Sequence, residues 1–269
     1  MTNKNDFIKN YMHCLSTCKT EREWVQEAET IAVQHGFSKF NASCNYKPGD
    51  KVYFVNRKKN FAAFVFGKYN TSANLLGAHI DSPRIDVKQQ PLYEKDKVAY
   101  FDTQYYGGIK KYQWTTIPLA MHGVVFKANG DVINVNIGEN PNDPIFCISD
   151  LLPHLDKTPK DKPLLCEDGE KLDIIVGTTE AQQETDALDT KGKELVKKYV
   201  IDYLKSNWMI DDEEDFCSAE LEIVPAGPAR FSGLDKSLVA GYGQDDRVCA
   251  YTSLMALMEI GRASCRERV

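Results

Sequence analysis

Apolar positions along this chain recur at two spacings, and the places where one gives way to the other mark out its elements. In "TEREWVQEAETIAVQHG", Trp24, Val25, Ala28, Ile31 and Ala32 fall at helical spacing. Thr20 with Glu23 three residues on forms a capping box, and Gly36 is placed to stop the helix, so residues 1 to about 36 are predicted helical. "KVYFVN" and "FAAFVFGK" flank a polar turn and read as a β-hairpin. "NLLGAHI" is short, continuously apolar and bounded by Asp-Ser-Pro, which predicts a central strand covered on both faces.

From about Val98 the texture becomes β-rich, through "KVAYFDTQYYGGIKKYQW", "MHGVVFKANGDVINVNIG" and "KLDIIVGTT". Asn129-Gly130 is a strong hairpin signal. A helical stretch follows near "DTKGKELVKKYVIDYLKSNW", then a strand-like "AELEIVPA". The α/β texture returns at "LVAGYGQDDRVCAYTSLMALMEI", which reads as strand, turn and helix. An α/β pattern interrupted by a β-rich stretch, with breaks at about 95 and 232, is the signature of one domain inserted in a loop of another.

Composition narrows the class. The chain has 269 residues, enough for one large domain or two, and 42% hydrophobic with 27% charged residues is ordinary for a globular protein. A net charge of −6 argues against nucleic acid as the main partner, because phosphate binding needs a basic face. No apolar run approaches the roughly 20 residues of a bilayer span, and the N-terminus lacks the apolar core of a signal peptide, so no membrane partner is expected. The eight cysteines are scattered without a CxxC pair, which predicts reduced thiols in a cytoplasmic protein.

Two stretches carry candidate chemistry. His79-Ile80-Asp81 places an imidazole and a carboxylate on one face of an extended segment at the end of a predicted strand. That pair suits a metal ligand with a carboxylate accepting its other N–H, and equally a hydrogen-bonded histidine beside a turn aspartate. In "GYGQDDRVCAY", Asp245 and Asp246 stand at a strand-to-helix turn. Spacing alone favours helix capping and a solvated Arg247. The alternative is that Asp245 bridges two divalent cations while Asp246 and Arg247 hold the turn, since the two oxygens of a carboxylate can each take one metal. His13 and His35 read as surface, His122 as a satisfied core or surface histidine in a strand-like stretch, and the acidic run "DDEED" as a solvated face or loop.

Taken together, "GAHIDSPRIDVKQQPLYE", "YYGGIKKYQW", "DLLPHL" and "EIVPAGPARFSGLDKSLVAGYGQDDRVCAY" resemble, in order and over nearly the whole chain, the aspartyl aminopeptidase and vacuolar aminopeptidase I family of dinuclear zinc exopeptidases. The resemblance implies that His79 is a metal ligand, that Asp81 orients the site as a catalytic residue, and that Asp245 bridges two zinc ions. It implies an α/β fold: a zinc-exopeptidase-like catalytic domain (1–95 and 233–259) interrupted by a β-rich oligomerisation domain (96–232). It implies peptide substrates with acidic or neutral N-termini, and dimer-based homo-oligomers up to a dodecamer. His154, in the inserted region, is the candidate contact to substrate or to a neighbouring subunit.

The resemblance is expected to stop near Glu259, because family members continue for well over a hundred residues with a Glu-Glu pair, another metal-binding Asp and a late His. The final "IGRASCRERV" resembles read-through of a sequencing adaptor and is expected to be a non-native tail. With only His79 and Asp245 from the ligand set, this chain alone is predicted inactive, and the helix from about Val248 is predicted to expose its apolar face. Two other classes stand beside the aminopeptidase: a different dinuclear zinc hydrolase such as a deacylase, and a non-enzymatic assembly module.

Overall fold

The computed structural model describes residues 4–69, 72–150, 152, 154–155, 172–182 and 194–263. Contacts group the chain into two compact units, one formed by Met1–Ser82 with Pro228–Val269 and the other by Pro83–Gly227. The divisions thus fall at 82/83 and 227/228, where the sequence texture had suggested about 95 and 232.

The first unit opens with α1 (Lys4–Thr17) and α2 (Glu21–Gln34). The break between them is set by Thr20, whose side chain accepts the Glu23 N–H while Glu23 reaches back to the Thr20 backbone, the expected capping box. α2 ends as expected before Gly36, whose φ of +80° an L side chain rarely adopts. β1 (Ser38–Lys39) pairs parallel with β2 (Lys51–Asn56), and β2 forms the predicted hairpin with β3 (Asn60–Val65).

The expected central strand "NLLGAHI" is absent: residues 72–83 adopt no strand, and Leu75 is 87% exposed. The reason is that a strand is defined by its neighbours, and among the described residues none pairs with this run. Its apolar composition records a preference for burial, not a partner.

The second unit is built on a six-stranded antiparallel sheet. Its strands are β4 (Arg84–Lys95), β5 (Val98–Tyr106), β6 (Leu119–Phe126), β7 (Val132–Ile137), β8 (Ile174–Gly177) and β9 (Ala219–Pro225), ordered β7-β6-β9-β4-β5-β8. β6 and β7 are joined across Gly130, at φ +91°, as the Asn-Gly signal predicted. α3 (Leu195–Trp208) belongs to the same unit.

The two faces of this sheet differ. Ile85, Ile223 and Met121 lie opposite one another on β4, β9 and β6, and each is fully buried. One position along, Asp86, Glu222 and His122 form a polar row. Arg84 binds two of its members, with Nε 2.7 Å from Asp86 and 3.2 Å from Glu222. His122 is fully buried, and its Nε2 lies 3.3 Å from Glu139, so it is a satisfied core histidine.

The chain returns to the first unit with β10 (Arg230–Ser232), β11 (Leu238–Ala240) and α4 (Gln244–Ala263). β10 and β11 pair as an antiparallel hairpin. α4 does not expose its apolar face in the way expected: Tyr251 packs with Tyr11, Leu15 and Trp24, and Met258 with Ala32, Phe37 and Tyr53. Helices α1 and α2 and the small sheet cover it, while Val248 stays 43% exposed. Residues 260–263, expected to lie in a foreign tail, continue the α4 backbone.

Candidate metal centre

His79 lies on the strandless segment before Pro83, and Asp245 at the start of α4, yet the fold brings them together. His79 Nε2 is 3.4 Å from Asp245 Oδ1. On the other side of the ring, His79 Nδ1 lies 3.1 Å from the Asp81 carbonyl and 3.2 Å from its carboxylate, both acceptors. Two acceptors at Nδ1 against one more distant at Nε2 favour the proton on Nδ1 in the neutral ring, which leaves the Nε2 lone pair on the Asp245 side. Burial works against the charged imidazole, but the Asp81 carbonyl and carboxylate, with the charge of Asp246, outweigh it and raise the His79 pKa. The carboxylates of Asp81 and Asp245 lie at the two nitrogens of the ring.

The separation of the two donors tests which cation. Ligands about 2.0–2.1 Å from a tetrahedral zinc stand roughly 3.3–3.4 Å apart, and imidazole nitrogen with carboxylate oxygen is an ordinary zinc donor pair. The observed 3.4 Å fits. The pair supplies one edge of a coordination sphere, and the described residues contain no group of three or more His, Cys, Asp or Glu able to hold a metal.

Asp245 and Asp246 are not the first residues of a regular helix. Their backbone angles (φ −89°, ψ 109° and φ −115°, ψ 26°) lie outside the helical region, and the peptide between them is cis. The exposed side chain of Asp245 is turned to His79. The Ser82 hydroxyl donates to the Asp245 carbonyl at 3.3 Å.

Arg247, which the sequence pattern left solvated or holding the turn, is 1% exposed. Its guanidinium donates to the carbonyls of Ile80 at 3.0 Å, Cys18 at 2.9 Å and Lys19 at 2.7 Å. No local signal announces this, since an arginine after two acids has the pattern of a solvated helix start. His154 is exposed in a turn closed by the Leu155 N–H on the Leu152 carbonyl, and most residues around it in sequence lie outside the described residues. His13 is exposed, as read, while His35 is half-buried with Nδ1 2.8 Å from the Ile31 carbonyl. The acidic run is partly structural: Asp212 accepts from Glu214 and Asp215 N–H, and Asp215 pairs with Lys127 at 2.9 Å.

This is a mixed α/β chain with a His–Asp pair, and comparison with known proteins places it. Residues 14–268 match the family described as Aminopeptidase I zinc metalloprotease (M18), and the chain belongs to that family. The match runs beyond Glu259, where the resemblance was expected to stop. A probable M18 family aminopeptidase 1 of Clostridium acetobutylicum is 47% identical over 265 residues, covering 96% of this chain and 55% of the relative. The crystal structure of an M18 aminopeptidase from Thermotoga maritima superposes with a TM-score of 0.85 at 45% identity, over 96% of this chain and 56% of that one. Aminopeptidase I of Borrelia burgdorferi gives 0.81 at 38% identity, over 95% and 57% of the two chains. The chain thus spans about half the length of the curated relatives it matches.

Proposed function

We propose that this chain supplies a zinc ligand, His79, and the bridging carboxylate, Asp245, of a dinuclear aminopeptidase that releases single N-terminal residues from peptides. The observation carrying this reading is the 3.4 Å approach of His79 Nε2 to Asp245 Oδ1, a zinc-ligand separation in a chain of the M18 family. Asp245 would hold the ions through its carboxylate oxygens. Asp81 holds the Nδ1 proton of His79 and so keeps the Nε2 lone pair on the metal side. When bound, the two zinc ions polarise the scissile carbonyl and acidify a water. The general base and remaining ligands that the family resemblance implies, a Glu-Glu pair, an Asp and a late His, belong to the part of the relatives that this chain does not span.

On this reading the first unit belongs to the catalytic domain, and the β-rich second unit is the inserted domain that mediates assembly. A yeast protein with the same fold at 16% identity, the S. cerevisiae mApe1, is a dodecamer, which supports homo-oligomeric assembly here. His154 then reaches a neighbouring subunit's site. Substrates are peptides with acidic or neutral N-termini. The scattered cysteines, free among the described residues, support a cytoplasmic setting, and no described helix is long and apolar enough to cross a membrane.

The test is hydrolysis of aminoacyl anilides and short peptides by the product of the longest reading frame that contains this chain. Release of one N-terminal residue, lost on chelation, restored by zinc and abolished by Asp245→Asn, is the expected result. The 269-residue chain in the same assay is expected to be inactive. Zinc-loaded full-frame protein that deacylates but leaves peptides intact would replace this reading with the deacylase, and one that does neither would leave the assembly module.

A further inference from the structure

The segment that carries His79 is not held by a sheet. Residues 72–83 have no pairing strand among the described residues, so other bonds must fix where the imidazole stands. Ile80, between His79 and Asp81, gives its carbonyl to Arg247 Nε at 3.0 Å. Arg247 directly follows the Asp245–Asp246 turn, so one side chain ties the peptide beside one candidate ligand to the residue beside the other. Its two remaining nitrogens are anchored on Cys18 and Lys19 between α1 and α2, at 2.9 and 2.7 Å.

We propose that Arg247 is a positioning residue of the metal centre, setting the separation of His79 and Asp245; this rests on the reading of those two as metal ligands. Three features support it. The guanidinium's hydrogen bonds described here go to three backbone carbonyls and not to a carboxylate, so its work is geometric. A planar fork with donors in fixed directions holds three acceptors in one arrangement, which the rotating ammonium of a lysine cannot do. The guanidinium is closely packed: a Cβ on Gly243 would stand 2.5 Å from Arg247 Nη1 and 3.0 Å from Ser82 Oγ, and the guanidinium lies 5.5 Å from the Tyr242 ring centre.

The test uses the 269-residue chain with 15N-labelled histidine, the His79 ring signals being assigned by His79→Gln. Arg247→Lys removes the fork and keeps the charge, and Arg247→Gln removes the charge and keeps a planar amide. Both are expected to keep the far-ultraviolet circular dichroism of the parent, to shift the metal-free His79 ring signals, and to raise the zinc concentration for half-saturation of those signals by about tenfold or more. Ala32→Gly, in the buried core of α2 away from the site, is the control for general loss of stability; it is expected to lower the melting temperature without either effect. Unchanged His79 signals and zinc response in both site variants overturn the proposal, as does an equal change in Ala32→Gly. Should Arg247→Lys fail to fold, Arg247→Gln decides. Should zinc leave His79 untouched in the parent chain, as two ligands alone allow, the metal-free shift decides whether Arg247 positions the ring, and the metal reading is left to the full-frame assay above.

Discussion

Asp81 grips the imidazole of His79 twice at one nitrogen, with its carbonyl 3.1 Å and its carboxylate 3.2 Å from Nδ1, and the opposite nitrogen faces Asp245. The carboxylate makes Nε2 a better donor, while the carbonyl alone can orient the ring. Asp81→Asn is therefore expected to weaken zinc binding at His79 by about 10–100-fold with little change in stability. His79→Gln should abolish that binding. Calorimetric zinc titration of the three proteins checks the order.

Two glycines of the β6–β7 hairpin separate steric overlap from backbone strain. At Gly123, φ is +144° and an added Cβ would overlap the Glu220 carbonyl oxygen of the neighbouring strand. At Gly130, φ is +91° and nothing lies within 4 Å. Gly123→Ala is expected to destabilise the second unit by about 3 kcal/mol or more, and Gly130→Ala by about 1–2 kcal/mol. Urea unfolding curves would show the difference in midpoint.

Arg84 and Glu222 are both buried, 3.2 Å apart. Glu222→Leu leaves Arg84 paired with Asp86 at 2.7 Å and is expected to cost less than Arg84→Met, which takes the shared cation from both carboxylates and should cost about 3–5 kcal/mol. Arg84→Met together with Glu222→Leu should cost much less than the two single changes summed. A double-mutant cycle measured by denaturant unfolding tests this.

Four acids of one apolar cluster in the first unit resist ionisation. Burial, the largest cause in each, raises Cys14 and Cys18 from 9.0 to about 12 and Tyr11 and Tyr251 from 10.0 to about 12. A folded-state pKa raised above the unfolded one contributes stability that is whole below the unfolded value and lost as pH climbs through the folded one. The melting temperature of the first unit should therefore fall steadily from about pH 9 to pH 12. At pH 8 the exposed Cys44, Cys147 and Cys217 should react with a thiol reagent well before Cys14 and Cys18.

The sequence announced what is local. The Thr20–Glu23 box acts within four residues, Asn129-Gly130 within a single turn, and both appear where the pattern put them. The apolar run at Leu75 and Leu76 failed as a strand because pairing is decided elsewhere in the chain. The meeting of His79 with Asp245 was likewise invisible to spacing and entered only through the family resemblance. Arg247 was the least legible, since its burial depends on carbonyls of residues 18, 19 and 80.

The bond from Arg247 to the Ile80 carbonyl spans 167 positions, and that interval has a meaning in time. At ribosomal rates it corresponds to on the order of 10 to 30 s of synthesis. The second unit, Pro83–Gly227, is complete before Arg247 is made and can fold on its own contacts. His79 leaves the ribosome early and must wait for the residue that seats it. The order of manufacture is therefore β-rich unit first and the His79–Asp245 pair last, so a released fragment ending at Gly227 should contain a formed sheet while the pair still awaits Arg247.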